Sequence, residues 1–308
     1  MNALASVLVE LTAGAMLLAV AATAADIPAE ERRSGYDFMS RELKAMQDDE
    51  AANPGMLAVL DGEAIWQRGE GAGGKSCATC HGDARISMKA VAARYPTFDN
   101  AIGRPIDLEQ RINRCRSEHQ QVAPLPFEHK DLLALAAYVA HQSKGQPISV
   151  TDDARSRPFI EGGREIFKLR QGQLNLSCAQ CHDDNWGNHL GGAPIPQGHP
   201  TGYPIYRLEW QALGSLRRRL RNCLIGMRAE TYPDDAPEII ALEFYLAGAP
   251  ADWRWKPRQY VEQWRADHQE HGIGVHRMAH DGVGAGGDDG LTTFLLQPHR
   301  DRGETVRP

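Results

Sequence analysis

The chain has 308 residues, 42% of them hydrophobic, with 34 basic against 40 acidic side chains, a formal net charge of −6, and six cysteines. Mild acidity argues against a nucleic-acid partner, because phosphate binding needs a basic face. Past residue 25 no stretch is long and apolar enough to span a bilayer, so no stable membrane insertion is expected, and the length suffices for two cores of ordinary domain size.

Residues 1–24 read as a signal peptide. The apolar run Leu11 to Val20 closes on the small-residue triplet Ala22-Thr23-Ala24, although the segment before it carries Glu10 and no Lys or Arg. Cleavage after Ala24 removes Glu10 alone among the charged residues and changes the net charge from −6 to −5. The alternative, an uncleaved anchor, has a short apolar stretch for a span. The expected location is the periplasm. Residues 25–60 form a polar, helical lead-in.

Residues 61–146 and 159–260 then repeat one plan, joined by a linker at 147–158 where Pro147, Asp152, Asp153 and Pro158 interrupt helical periodicity. Ile65-Trp66 lies twelve residues before Cys77, and Ile166-Phe167 twelve before Cys178. Arg111 to Cys115 answers Arg219 to Cys223, and Leu132 to Ala140 answers Ile239 to Ala247. Each unit reads as a helix, a cysteine-bearing loop, a variable insert, a helix ending at a cysteine and a closing amphipathic helix. Trp253, Trp255 and Trp264 are expected to pack a last helix, and residues 271–308, rich in Gly, Asp, His and Arg, form a disordered tail.

The chemistry lies in the pentapeptides Cys77-Ala78-Thr79-Cys80-His81 and Cys178-Ala179-Gln180-Cys181-His182. Both cysteines of such a motif can form thioethers to haem vinyl groups, and the histidine then becomes the proximal iron ligand. A zinc half-site, a redox pair or a plain disulfide would not require histidine after each second cysteine. Two covalently bound c-type haems are therefore expected, on Cys77, Cys80 and His81 and on Cys178, Cys181 and His182. The fold class is all-α, two cytochrome c-like domains in tandem.

For the opposite face of each iron, Met88, His119 and His129 in the first unit and His189, His199 and Met227 in the second are available, as an electron carrier would use. The repeat favours Cys115 and Cys223 instead, since they occupy equivalent slots; a disulfide between them and two inert buried thiols are the bland readings. The apolar steps Tyr206, Trp210, Leu213, Leu216, Leu220 and Cys223 read as one helix. Arg219 then lies one turn before Cys223 and can hold an oxyanion by paired N–H bonds, while Arg217, Arg218 and Arg221 read as a solvated face. Arg111 is its counterpart, with a structural role near a haem propionate an equal account.

The run Gln197-Gly198-His199-Pro200-Thr201-Gly202-Tyr203-Pro204, with Tyr206 to Gln211, Arg219 to Glu230, Ser34 to Met39 and Asn53 to Leu57, resembles the SoxA family, the cytochrome subunits of bacterial thiosulfate-oxidising systems, over roughly residues 30–250. The resemblance implies an L-cysteine S-thiosulfotransferase, paired with a SoxX-like monohaem cytochrome as a heterodimer, that joins thiosulfate oxidatively to a cysteine of a SoxYZ-like carrier protein. It makes the second haem the active-site haem, Cys223 its distal ligand, commonly a persulfide, and Arg219 a catalytic residue. A diheme electron carrier without its own substrate and a thiosulfate dehydrogenase forming tetrathionate are the competing functions.

Overall fold

The computed structural model describes residues 27–28 and 31–248. The expected signal peptide, the three late tryptophans and the tail lie outside the described residues. Among those described, no helix is long and apolar enough to cross a membrane.

Among the described residues ten α-helices carry the fold. In chain order they are α1 (Arg41–Asp48), α2 (Gly55–Gln67), α3 (Cys77–His81), α4 (Ala84–Ser87), α5 (Leu108–Cys115), α6 (Lys130–His141), α7 (Arg157–Lys168), α8 (Cys178–His182), α9 (Leu216–Gly226) and α10 (Pro237–Ala247). Three two-stranded antiparallel ribbons, absent from the all-α expectation, join them: β1 (Thr97–Asp99) with β2 (Arg104–Ile106), β3 (His189–Leu190) with β4 (Ala193–Pro194), and β5 (Ile205–Arg207) with β6 (Ala212–Gly214).

Two helix crossings organise the core. Helix α6 is built from Leu and Ala, strong helix formers, and every residue from Leu132 to Ala140 is buried. It is apolar all round rather than amphipathic, because α2 covers one side and the β5–β6 ribbon reaches another. Helix α10 is likewise buried around most of its circumference, and α7 packs against it. Both crossings depend on a glycine at closest approach. A Cβ on Gly62 would sit 2.1 Å from the carbonyl oxygen of Ala134, and one on Gly163 would sit 2.0 Å from that of Ala241. Tyr138 and Tyr245 stand at the same place in the two crossings.

The single long helix expected from Tyr206 to Cys223 is not formed. Tyr206 pairs with Leu213 across the β5–β6 ribbon, and Gln211 adopts a positive φ of 50° at its turn. The three-and-four spacing of apolar side chains there reflects burial against two different neighbours: Tyr206 and Leu213 join the core around α2 and α6, while Leu220 packs with Phe167 and Leu242. The helix starts at Leu216, where the Ser215 hydroxyl caps it by accepting from the Arg218 N–H at 3.0 Å. The segment read as a linker is also tied down. Ile148 is buried, the Ser149 N–H donates to the Ala93 carbonyl at 2.9 Å, and Pro158 opens α7 instead of breaking it.

Gly62→Ala and Gly163→Ala are each expected to lower stability by about 1–3 kcal/mol through overpacking of the crossing. Gly162→Ala, whose Cβ meets nothing within 4 Å, should instead stabilise by up to about 1 kcal/mol. Urea unfolding midpoints of the three variants check this.

Candidate functional site

Each pentapeptide forms a helix of one turn and a little more, capped by the serine before it. Ser76 accepts from the Thr79 N–H at 3.0 Å and Ser177 from the Gln180 N–H at 3.3 Å, and the Thr79 and Gln180 side chains return a bond to the serine backbone. One turn of helix puts Cys77 beside Cys80 and Cys178 beside Cys181 on a single face. The following histidine is braced from behind by an aromatic ring. Trp66 lies 5.7 Å from the His81 ring and donates its Nε1–H to the Gly82 carbonyl, and Phe167 lies 6.5 Å from the ring of His182.

His182 is the better defined of the two. Its Nδ1 lies 2.7 Å from the Pro196 carbonyl oxygen, which can only accept, so Nδ1 carries the hydrogen and Nε2 is left as the nitrogen for a metal. Cys223, brought over on α9, faces the same cleft as the imidazole. The cleft encloses about 820 Å³, part of it open to solvent, and Cys178, His182, His199, Arg219 and Cys223 all line it. A second cleft of about 890 Å³ is lined by Cys77, Cys80, His81, Arg111 and Cys115. Of the paired cysteines, the histidines that follow them, Cys115, Cys223, Arg111 and Arg219, all line one cleft or the other except Cys181, which follows Cys178 by one turn on α8.

The clefts fit a haem. Phe167, Ile205, Leu220 and Leu242 wall one and Trp66, Leu108, Leu135 and Val139 the other. Haem iron takes four ligands from its porphyrin and needs two from protein. Among the described residues no three His, Cys, Asp or Glu side chains converge as they would around a bare metal ion. No disulfide joins any of the six cysteines. Burial pushes the Cys77 thiol up to about 11 and the Cys178 thiol up to about 12, so both are poor free thiolates, a disadvantage that thioether formation removes.

Of the alternative distal ligands, Met88 and His119 line the first cleft with Cys115, and His199 lines the second with Cys223. His129 is committed elsewhere, its Nδ1 accepting from the Asp131 N–H at the start of α6. His189 lies exposed in a ribbon, and Met227 is buried outside both cleft walls.

The arginines divide differently from expectation. Arg219 lines the second cleft one turn before Cys223, whereas its counterpart Arg111 is held by the Asp99 carboxylate at 2.7 Å and the Tyr95 hydroxyl at 3.3 Å. Arg217, expected on a solvated face, is 4% exposed and bound to Asp107, Glu243 and the Asp234 carbonyl. Arg218 stacks over Trp210 at 4.2 Å, and Arg221 pairs with Asp234 beside the Phe127 ring. These side chains tie α9 to the first half of the chain, which a reading of one helix in isolation has no means of seeing.

Gln197 escaped sequence reasoning as well. Buried beside Pro196, it accepts from the Arg33 N–H at 2.5 Å and donates to the Glu31 carbonyl at 3.0 Å, so the lead-in segment is strapped beside the His182 cleft. Glu243, by contrast, left a signal. It stands in the repeat where Ala136 stands in the first unit, a charged residue in an otherwise apolar helix.

Residues 61–148 match the family described as SoxA/TsdA, cytochrome c domain. The chain is 40% identical to the L-cysteine S-thiosulfotransferase subunit SoxA of Pseudaminobacter salicylatoxidans, over 71% of this chain and 77% of that protein. It is 36% identical to the subunit of the same name from Rhodovulum sulfidophilum, over 71% and 76%. The crystal structure of SoxXA from P. pantotrophus superposes with a TM-score of 0.72 at 30% identity, covering 75% of this chain and 87% of that one.

Arg217→Ala leaves the Asp107 carboxylate buried without its cation and is expected to cost about 3–5 kcal/mol. The exposed Arg41→Ala should change stability by less than about 0.5 kcal/mol. Denaturant unfolding at neutral pH compares the two.

Proposed function

The chain belongs to the SoxA family of L-cysteine S-thiosulfotransferase subunits, and on that premise we propose that its His182 cleft joins thiosulfate oxidatively to a cysteine of a SoxYZ-like carrier protein. The observation that carries this reading is the meeting of His182, Arg219 and Cys223 in one apolar-walled cleft. The reaction converts a thiol and thiosulfate into a cysteine thiosulfonate, with one proton and two electrons released. A c-type haem, when bound, supplies the acceptor for those electrons.

In this reading two haems are attached, on Cys77 and Cys80 and on Cys178 and Cys181, within two tandem cytochrome c-like domains. His81 and His182 are the proximal ligands, Cys115 and Cys223 the distal ones. Arg219 binds the thiosulfate dianion and orients it toward Cys223 through paired N–H bonds. Apolar walls exclude water and strengthen that attraction. Pro196 keeps the proton on Nδ1 of His182 and so holds the ring in one orientation. A SoxX-like monohaem cytochrome is the partner in the complex. The periplasm is the location, supported by the apolar run before Ala24 and by the thioether motifs, whose haem is attached outside the bacterial cytoplasm.

The presence of Arg219 beside Cys223 in the wall of the His182 cleft favours an enzyme over a pure electron carrier, which needs no anion-binding guanidinium there. Arg219→Ala is expected to lower carrier-dependent thiosulfate conjugation about 10²–10³-fold, and Cys223→Ala to abolish it, with haem content by pyridine haemochrome unchanged in both. Wild-type turnover in either haem-replete variant would contradict the assignment. Tetrathionate formed without a carrier would point to a dehydrogenase.

A further inference from the structure

A third cavity, of about 570 Å³, lies between the two clefts and shares walls with each: Tyr95 and Leu108 with the first, Pro200, Tyr203 and Leu216 with the second. Three carboxylates reach it, Asp107 and Glu109 from α5 and Glu243 from α10. The cation set against them is Arg217 on α9, which contacts Asp107 and stands 3.6 Å from Glu243. Tyr95, whose hydroxyl is occupied by Arg111, and Tyr203 complete the polar part of the wall. One guanidinium balances one carboxylate, so full ionisation of the other two in a buried space would leave uncompensated charge.

We propose that the Glu243–Glu109 pair is a redox-linked proton site, taking up one proton from solvent when an electron is placed on an adjacent haem and returning it on reoxidation. The proposal rests on the reading of two haems flanking this cavity. The balance is one electron from the oxidised thiol–thiosulfate pair and one proton from water, bound to a carboxylate oxygen. Added negative charge on either side raises the proton affinity of a carboxyl between them.

The fold already prepares the pair. Burial, opposed by Arg217 and reinforced by Asp107, pushes the Glu243 carboxyl from 4.5 up to about 8, and burial together with Asp107 raises Glu109 well above its ordinary value. Folding therefore favours protonated Glu243. Its contribution to stability is full below the unfolded value near 4.5 and is lost as pH rises through about 8.

The test is spectroelectrochemical titration of the full-length holoprotein between about pH 6 and about 10. Haem potentials in the wild type should fall with pH above about 8, and in that same alkaline range reduction should take up protons from a weakly buffered dye solution. Glu243→Gln, isosteric and permanently neutral, should flatten the fall and lose the uptake; Glu109→Gln should reduce both. The same pH dependence in wild type and Glu243→Gln, or a wild-type potential that does not change with pH, overturns the proposal. Pyridine haemochrome reports the haem count independently, so a chain with one haem defeats the two-haem reading on separate grounds.

Discussion

A buried guanidinium is tolerable only where the chain supplies anions and carbonyls around it, and Arg217 sets that demand for the centre of this protein. Asp107 meets it with one carboxylate oxygen while the other caps α5 by accepting from the Gln110 N–H at 2.7 Å. A single side chain thus starts the helix that ends at Cys115 and anchors the helix that carries Cys223. Glu128 adds a second tie from the first half, accepting the Ser215 N–H at 3.1 Å where α9 begins. The positions of Cys115 and Cys223 are thus set from the far ends of their helices by contacts with the other half.

The two helices that meet at this junction are alike in local sequence. Counting back from Cys115 and Cys223, Glu109 and Arg217 occupy the same position in their helices, as do the caps Asp107 and Ser215. Asp107, not Glu109, holds Arg217. A cap that is charged on one helix and neutral on the other lets the first reach across to the second without like-charge repulsion.

Much of the candidate site was legible because its chemistry is local. Cys-x-x-Cys-His needs one helical turn to act, and spacing alone reports it, as it reports Arg219 one turn before Cys223. The glycine crossings were legible only in part: the repeat aligns Leu132–Ala140 with Ile239–Ala247, but nothing in periodicity shows that both are covered on all sides. What stayed hidden depends on contacts far apart in sequence. Arg217 looks solvated until Asp107, 110 residues away, is folded beside it. The ribbon at Tyr206 to Leu213 mimics helical spacing because its two apolar residues serve a neighbour that the local sequence does not contain.

The strap at Gln197 has a consequence for how the protein is made. Its hydrogen bonds to the backbone at Arg33 and Glu31 span 164 and 166 residues, among the widest separations in the chain. Synthesis runs from the N-terminus, so Ile27 to Ser34 emerges long before the loop that will hold it, and the His182 cleft stays without that cover until residue 197 has followed. Contacts of such long range form late, after the loop-closure entropy of everything between them has been met. The wall that Gly35 and Gln197 give the His182 cleft is therefore among the last parts of it to be completed.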